Sequence, residues 1–125
     1  MLDSIEYHLF PNACFFPGIQ IPLIYRFRPT SLGTCVHEIL ILEPVSDETN
    51  RKPPAMAHHL SIDQSYKEVE GFSLAHVLDQ DTENFHRQWA GMNASIKSGQ
   101  TLGNYQEVRI RNFHKTLDEY LVREG

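Results

Sequence analysis

The sequence has few cysteines and no long hydrophobic run, and both absences limit the kind of protein it encodes. Its two cysteines, Cys14 and Cys35, form no CxxC pair, so we expect reduced, buried thiols and no disulfide framework. The most apolar stretch, residues 13–27, is interrupted by two prolines, a glycine and an arginine. It is therefore too short and too broken to span a bilayer. The N-terminus lacks the pattern of a signal peptide, and we expect a cytoplasmic protein.

Clusters of basic residues are also missing. The chain has 11 Lys+Arg against 16 Asp+Glu, a formal net charge of −5, and its basic residues are scattered. Nucleic acid is thereby excluded as the main partner, because phosphate binding needs clustered Lys and Arg. The motifs GxGxxG, GxxxxGK[ST], HExxH and GxSxG are absent, which removes the enzyme classes they define. A length of 125 residues fits one domain, and we expect residues 1–125 to form it.

The first part of the chain has the pattern of β-strands. Apolar runs rich in β-branched and aromatic residues occupy residues 5–10, 19–27 and 34–43, and the short segment 14–16 leads into the second run. Residues 28–33 contain proline and glycine and predict a hairpin connection. Three successive strands with short links favour an antiparallel meander.

The second part of the chain has the pattern of helices. Residues 45–57 are polar and proline-rich, which predicts an exposed loop. Apolar residues at helical spacing then follow: Phe85, Trp89, Met92 and Ile96. Asp79, Asp81 and Glu83 lie around the expected start of this helix, and Gly99 follows its expected end. A final helix is predicted over residues 103–123. Strands followed by helices indicate an α+β domain.

Seven histidines raise the question of a metal site. His58 and His59 are adjacent, so their rings diverge, and we interpret them as loop-surface residues. His76, Asp81 and His86 are five residues apart, a step of about 140° around a helix, so the three do not share one face. From composition alone, the acids near Asp81 are helix-capping acids on a surface turn.

Five segments, taken in order, carry a family resemblance. They are residues 7–12 (YHLFPN), 25–29 (YRFRP), 38–44 (EILILEP), 78–84 (LDQDTEN) and 105–114 (YQEVRIRNFH). Together they resemble the C-terminal part of the catalytic domain in Rieske-type aromatic-ring-hydroxylating oxygenase α subunits. The resemblance covers residues 4–121, nearly the whole chain.

The resemblance implies a fold and a site. The fold is a helix-grip (START-like) α+β domain, an antiparallel sheet packed on a long C-terminal helix, here truncated at its N-terminal side. The family is an oxidoreductase, a dioxygenase whose non-haem Fe(II) is held by two histidines and one carboxylate from a D-x-x-N segment. Asp81 matches that metal ligand and Asn84 the asparagine that supports it. His76, Val77 and Leu78 are expected to line the pocket for an aromatic or other apolar small molecule, because they lie close to Asp81.

The departures from the family pattern define the alternatives. The two iron-binding histidines at short spacing and the Cys/His ligands of the Rieske cluster have no match in this sequence. We therefore assign no catalytic residue and expect this chain alone to bind no iron stably and to be inactive. It is either a partial oxygenase α subunit, a stand-alone binding module for apolar or aromatic ligands, or a small metalloprotein using His76, His86, His58 or His59 with Asp81. A truncated sheet leaves an open edge, so we expect a homo-oligomer or a partner chain carrying the Rieske and two-histidine portion.

Overall fold

The computed structural model describes residues 5–17, 21–47, 49 and 51–123. The chain divides into two compact units. The sheet unit comprises residues 1–51 and 102–125, and the helix unit comprises residues 52–101. The sheet unit is thus built from two separated stretches of sequence.

Four strands form the sheet of the first unit, and each pairs with the next in the chain. They are β1 (Tyr7–Leu9), β2 (Ala13–Phe16), β3 (Leu23–Ser31) and β4 (Thr34–Ile41). All three pairings are antiparallel, and the order across the sheet is β1-β2-β3-β4. Strands rich in β-branched and aromatic residues, joined by short links, account for this arrangement. The predicted antiparallel meander is confirmed, but it has four strands instead of three, because residues 13–16 form a strand of their own.

The link between β3 and β4 is shorter than the sequence suggested. Residues 28–33 were expected to connect the strands, but β3 continues to Ser31 and only Leu32 and Gly33 form the turn. Pro29 lies within the strand opposite Cys35. The strand accommodates it because the register shifts between Pro29 and Ser31, and such irregularities are where a strand tolerates proline. Of the predicted run at residues 19–27, positions 19 and 20 fall outside the described residues.

The C-terminal helix α2 (Val108–Arg123) contacts the β1 end of the sheet. The Phe113 ring lies 5.3 Å from the His8 ring, which it meets edge-on, and 5.7 Å from the Phe10 ring. The helix begins later than the predicted residue 103. The backbone N–H of Gly103 donates to the Glu107 side chain and so holds the residues just before the helix in a turn. An antiparallel sheet with a long C-terminal helix confirms the expected α+β class.

The two cysteines are free, and their environments differ. Cys14 is half-buried in β2; burial and then the nearby Glu6 carboxylate raise the pKa of its thiol above the ordinary value. Cys35 was expected to be buried, but it is exposed. Its position explains the error, since it lies one residue into β4, opposite Pro29 at the irregular end of the hairpin.

The helix unit consists of a 3₁₀ turn, Tyr66–Glu68, and helix α1 (Ala75–Ala94). The buried residues of α1 are Ala75 and Leu78. The helix begins four residues before Asp79, so the acids expected at its start lie inside it. It ends at Ala94, where extended backbone at Ser95 stops it and the Ser95 N–H bonds the Met92 carbonyl. Ile96 was expected inside this helix and Gly99 directly after it. Both therefore lie beyond the observed helix end.

The remaining described residues give two negative findings. The described part of the predicted loop at residues 45–57 contains neither a β-strand nor an α-helix. Within residues 5–17, 21–47, 49 and 51–123, the structure holds no helix of sufficient length and apolar character to cross a membrane.

One ion-pair cluster joins the two long strands. Arg26 and Arg28 on β3 both donate to the carboxylate of Glu38 on β4; the Arg28 Nη2 to Glu38 Oε1 distance is 2.9 Å. The bond from Arg26, with the charges of both arginines, holds the pKa of Glu38 below its usual range. Because the arginines are largely exposed, we expect a modest contribution to stability.

We expect Glu38→Gln to make stability less sensitive to acid. Since the folded-state pKa is lowered from 4.5, the contribution of Glu38 is present above the unfolded-state value and is lost as pH falls through the folded-state value. The difference in unfolding free energy between wild type and variant should therefore shrink from about pH 6 to about pH 3 in urea titrations. Glu119→Gln, which loses an exposed carboxylate 4.0 Å from Lys115, is the control. If the difference in unfolding free energy between wild type and Glu38→Gln stays constant across this pH range, Glu38 does not have the lowered pKa assigned to it.

Candidate functional site

The residues singled out by the sequence lie on the first three turns of α1, with very different exposure. His76, Val77 and Asn84 are exposed, Asp81 is half-buried, and Leu78 is completely buried at 0% exposure. Leu78 is the largest fully buried side chain of the described residues. Its side chain therefore lies in the protein interior and offers no surface to a ligand, whereas His76 and Val77 are exposed.

Asp81 lies in a partly exposed apolar stripe of α1. Val77 precedes it by one turn and Phe85 follows it by one turn, so all three fall on one side of the helix. Trp89 and Met92 continue the stripe, and these four apolar side chains are 44–50% exposed. Within the part of the chain that the structure describes, the Asp81 carboxylate has neither a hydrogen-bond partner nor an ion-pair partner. It is the one charged side chain between Val77 and Phe85 on this side of the helix.

Asp79, two residues earlier, has the opposite environment. Its Oδ2 accepts a hydrogen bond from Ser65 Oγ at 2.7 Å, and its Oδ1 accepts one from the Tyr66 backbone N–H at 2.9 Å. Both oxygens are thus engaged with the 3₁₀ turn. Two residues of helix separate Asp79 and Asp81 by about 160° around the axis, so the two carboxylates face different sides of α1.

The electrostatics follow from these bonds. The Ser65 hydroxyl and then the Tyr66 N–H hold the pKa of Asp79 below its ordinary value, and the charges of Lys67 and His76 act in the same direction. Burial, followed by the Asp79 charge, raises the pKa of Tyr66. Asp79 is therefore ionised at neutral pH and serves as a hydrogen-bond acceptor for the turn.

The histidines of the helix unit do not gather around Asp81. His58 and His59 lie in the irregular segment before the 3₁₀ turn and are exposed, and His76 and His86 are exposed on α1. Among the described residues, no group of three or more His, Cys, Asp or Glu side chains is placed to hold a metal ion. The arrangement of His76, His86, His58 or His59 around Asp81 that one hypothesis requires is not formed here.

The donor set can be compared with the needs of a mononuclear iron. Such a site uses two imidazoles and one carboxylate on one face of the ion. Asp81 fits the carboxylate position, because it is half-buried, lies beside apolar side chains and is not engaged by a described residue. The imidazole positions are not filled by described residues. The described residues thus supply one of the three ligands that such an iron site needs.

The link from Asp79 to the 3₁₀ turn was missed in the sequence, although a signal for the turn is present. Ser65 and Glu68 form a capping box, in which Ser65 Oγ accepts from the Lys67 N–H and Glu68 Oε1 accepts from the Ser65 N–H, each at 3.1 Å. The spacing S-x-x-E is the signature of this motif. Asp79 bonds Ser65 and Tyr66 of this turn, fourteen and thirteen residues earlier in the chain, and no local sequence pattern encodes a tertiary contact of this kind.

Comparison with known proteins identifies the family. The family model described as "ring hydroxylating alpha subunit (catalytic domain)" matches residues 2–123. Because the match covers almost the whole chain, the protein belongs to the ring-hydroxylating α-subunit catalytic-domain family, a family of non-haem iron oxygenase domains. Neither the search of curated proteins nor the search of solved structures gives a match. The resemblance seen in the five sequence segments is thereby confirmed.

We expect Leu78→Ala to destabilise the protein strongly. Leu78 is fully buried, so truncation removes apolar contacts and leaves a cavity, at a cost of about 2–5 kcal/mol. Urea unfolding measures this change, and Leu32→Ala at the β3–β4 turn, where Leu32 is 101% exposed, should change stability by less than about 0.5 kcal/mol. If Leu78 instead lines an open substrate pocket, the two variants will be similar in stability.

Proposed function

We propose that this chain is the C-terminal catalytic portion of a ring-hydroxylating oxygenase α subunit, and that Asp81 is its carboxylate ligand to Fe(II). Family membership and the D-x-x-N pattern at Asp81 and Asn84 support the proposal. The observation that carries it is the contrast between the two aspartates. Both oxygens of Asp79 are occupied by the 3₁₀ turn, whereas Asp81 is half-buried on the other side of α1 with no described partner.

The remaining ligands come, in this proposal, from outside the helix unit. A single carboxylate does not hold Fe(II) against water, because a stable site needs the two imidazoles as well. The two histidines and the Rieske cluster that supplies electrons would belong to another portion of the α subunit or to a partner chain. This chain alone would accordingly lack hydroxylating activity.

The residues around Asp81 have separate tasks in this site. Fe(II), when bound, supplies the centre at which O₂ is activated. Asp81 provides one negative ligand, and Asn84, three residues further along the same side of α1, has an amide group suited to supporting that carboxylate. Val77 offers an apolar surface next to Asp81, which suits an aromatic or other apolar substrate and excludes water. His76 lies on the edge of this surface, and Leu78 supports it from the interior of the unit.

We expect a divalent ion to bind weakly to the Asp81 carboxylate even without the two histidine ligands. Mn²⁺ accepts carboxylate oxygens, and its unpaired electrons broaden the NMR signals of nearby backbone amides, so weak binding is detectable. Titration of the isotope-labelled chain should selectively broaden the amides around residues 81–84, and Asp81→Asn should abolish this effect. Glu83→Gln, on the same helix but paired with Arg87, should retain it. Equal broadening in Asp81→Asn and wild type would refute the assignment of Asp81.

Anaerobic reconstitution with Fe(II) separates this proposal from the alternative of a rebuilt metal site. Elemental analysis should find well below one iron per chain in both wild type and Asp81→Ala. Near-stoichiometric iron that disappears in Asp81→Ala would instead favour the small metalloprotein with ligands from this chain.

The proposal also includes self-association through the sheet. The described sheet has β1 and β4 at its two edges, and β4 has eight residues without lysine or proline, the residues that commonly protect an edge. Val36, Leu40 and Ile41 on this strand are 40–47% exposed. A second copy that pairs with β4 would cover this open edge, and Val36 and Leu40, which share one face of the strand, could contribute apolar contacts beside it.

Light scattering after size exclusion tests the association. At micromolar concentration we expect a mass of at least twice the 14.4 kDa of one chain. Leu40→Lys should shift the protein toward the monomer, because a charge on an edge strand opposes strand pairing. Leu32→Lys, in the exposed turn, should leave the mass unchanged. A wild-type protein that remains monomeric would rule out this association.

A further inference from the structure

We propose that the sheet unit binds a phosphate group in a groove on α2. Five side chains line the groove: Asn104, Val108, Arg111, Asn112 and Lys115. Its volume of about 470 Å³ is within the range of small-molecule sites. The phosphate group is either the free ion or part of a small phosphate monoester. Because the groove belongs to the sheet unit, the proposal does not depend on the role assigned to Asp81 in the helix unit.

The groove lies on the side of α2 opposite to the aromatic contacts with the sheet. Arg111 and Lys115 are one turn apart, so their side chains are neighbours on one face of the helix. Phe113 is two residues from each of them, which is about 160° around the helix axis. Its ring contacts the rings of His8 and Phe10 in the sheet. The two cationic side chains are therefore directed away from these rings and toward the groove that they line.

The charges of the groove favour an anion. Its lining carries two positive charges and no carboxylate, in a chain with a formal net charge of −5. Among residues 5–17, 21–47, 49 and 51–123, Arg111 has no ion-pair partner. The Lys115 Nζ is 4.0 Å from Glu119 Oε1, and both side chains are largely exposed, so this contact offsets the lysine charge only weakly. Like charges one turn apart repel each other, and a phosphate dianion between them would relieve that repulsion.

The Arg111 guanidinium is oriented by a neutral partner. Its Nη1 donates to Asn104 Oδ1, and Asn104 belongs to the turn that the Gly103 N–H closes by donating to the Glu107 carboxylate. This bond uses one of the five N–H groups of the guanidinium and leaves the others free to donate to an oxyanion. Because Glu107 is engaged with Gly103 and does not line the groove, its carboxylate does not occupy the place of the anion.

The donors of the groove suit phosphate better than other oxyanions. A guanidinium binds two phosphate oxygens through its planar fork, and a lysine ammonium acts as a point charge beside them. The side-chain amide of Asn112 adds N–H donors. A carboxylate would accept the same bonds, but it brings one negative charge against two positive ones. Val108 adds an apolar surface that suits the carbon portion of a phosphate monoester.

Titration of the isotope-labelled full chain with inorganic phosphate, at constant ionic strength, tests the site through amide chemical shifts. We expect saturable shifts concentrated in residues 104–115. Arg111→Gln should weaken the affinity by about tenfold or more, because it removes hydrogen bonds to a charged group, and Lys115→Gln by about two- to fivefold. The control is Arg109→Gln, which makes the same charge change on the same helix 4.0 Å from Glu6, and it should stay within about twofold of wild type. Equal weakening in Arg109→Gln and Arg111→Gln would overturn the inference.

Further probes test the chemistry of recognition. Acetate should bind about fivefold more weakly than phosphate, since it carries a smaller charge, and equal affinity for the two anions would overturn the inference. Arg111→Lys keeps the positive charge but loses the planar fork, so it should bind phosphate about threefold more weakly than wild type. Wild-type affinity in Arg111→Lys would reject recognition by the guanidinium. Glycerol phosphate distinguishes the two sources: affinity at least equal to that of phosphate indicates a monoester, and binding of phosphate alone indicates the free ion. Absence of a saturable shift with both probes would overturn the inference.

Discussion

The hydrogen bonds between the Asp79 carboxylate and the Ser65–Glu68 turn are the constraint on which the helix unit depends. A helix of twenty residues that buries only Ala75 and Leu78 has few apolar contacts to hold it in place. Two charge-assisted bonds to an adjacent, internally capped turn compensate for this small core. The desolvation cost of these bonds is small, because the Asp79 carboxylate remains near solvent and both of its oxygens accept hydrogen bonds.

Because of this constraint, the two aspartates in the acidic segment of α1 have different roles. Two aspartates separated by one residue have similar chemistry in the sequence, yet helical geometry directs them to different sides. The Asp79 carboxylate is engaged in hydrogen bonds that stabilise the fold, and the Asp81 carboxylate stays available for a ligand or an ion. Helical geometry thus lets a D-x-D segment direct its two acids to separate environments.

Much of the fold was readable from the sequence, and the errors have physical causes. The order of strands and helices, the antiparallel meander and the apolar spacing of α1 follow from local patterns. The extent of the β3–β4 turn was misjudged because Pro29 was taken to end the strand, whereas a register shift accommodates it. The start of α1 was placed too late because Asp79 was interpreted as a cap. Its partner, Ser65, is distant in sequence, and contacts of this kind cannot be read from periodicity. The D-x-x-N pattern directed attention to Asp81, but its surroundings became visible only in three dimensions.

The sheet unit is discontinuous, and this has a consequence for how the protein reaches its folded state during synthesis. The helix unit, residues 52–101, is a single stretch and can fold as soon as it leaves the ribosome. The β3–β4 hairpin is equally local and belongs to the class of elements that form in about 1–10 μs. The sheet, however, gains its contacts with Phe113 only after the residues of α2 have been synthesised. Until then the aromatic side chains of His8 and Phe10 lack their helical partner, so this end of the sheet stays uncovered during synthesis, and exposed apolar surface of this kind favours aggregation.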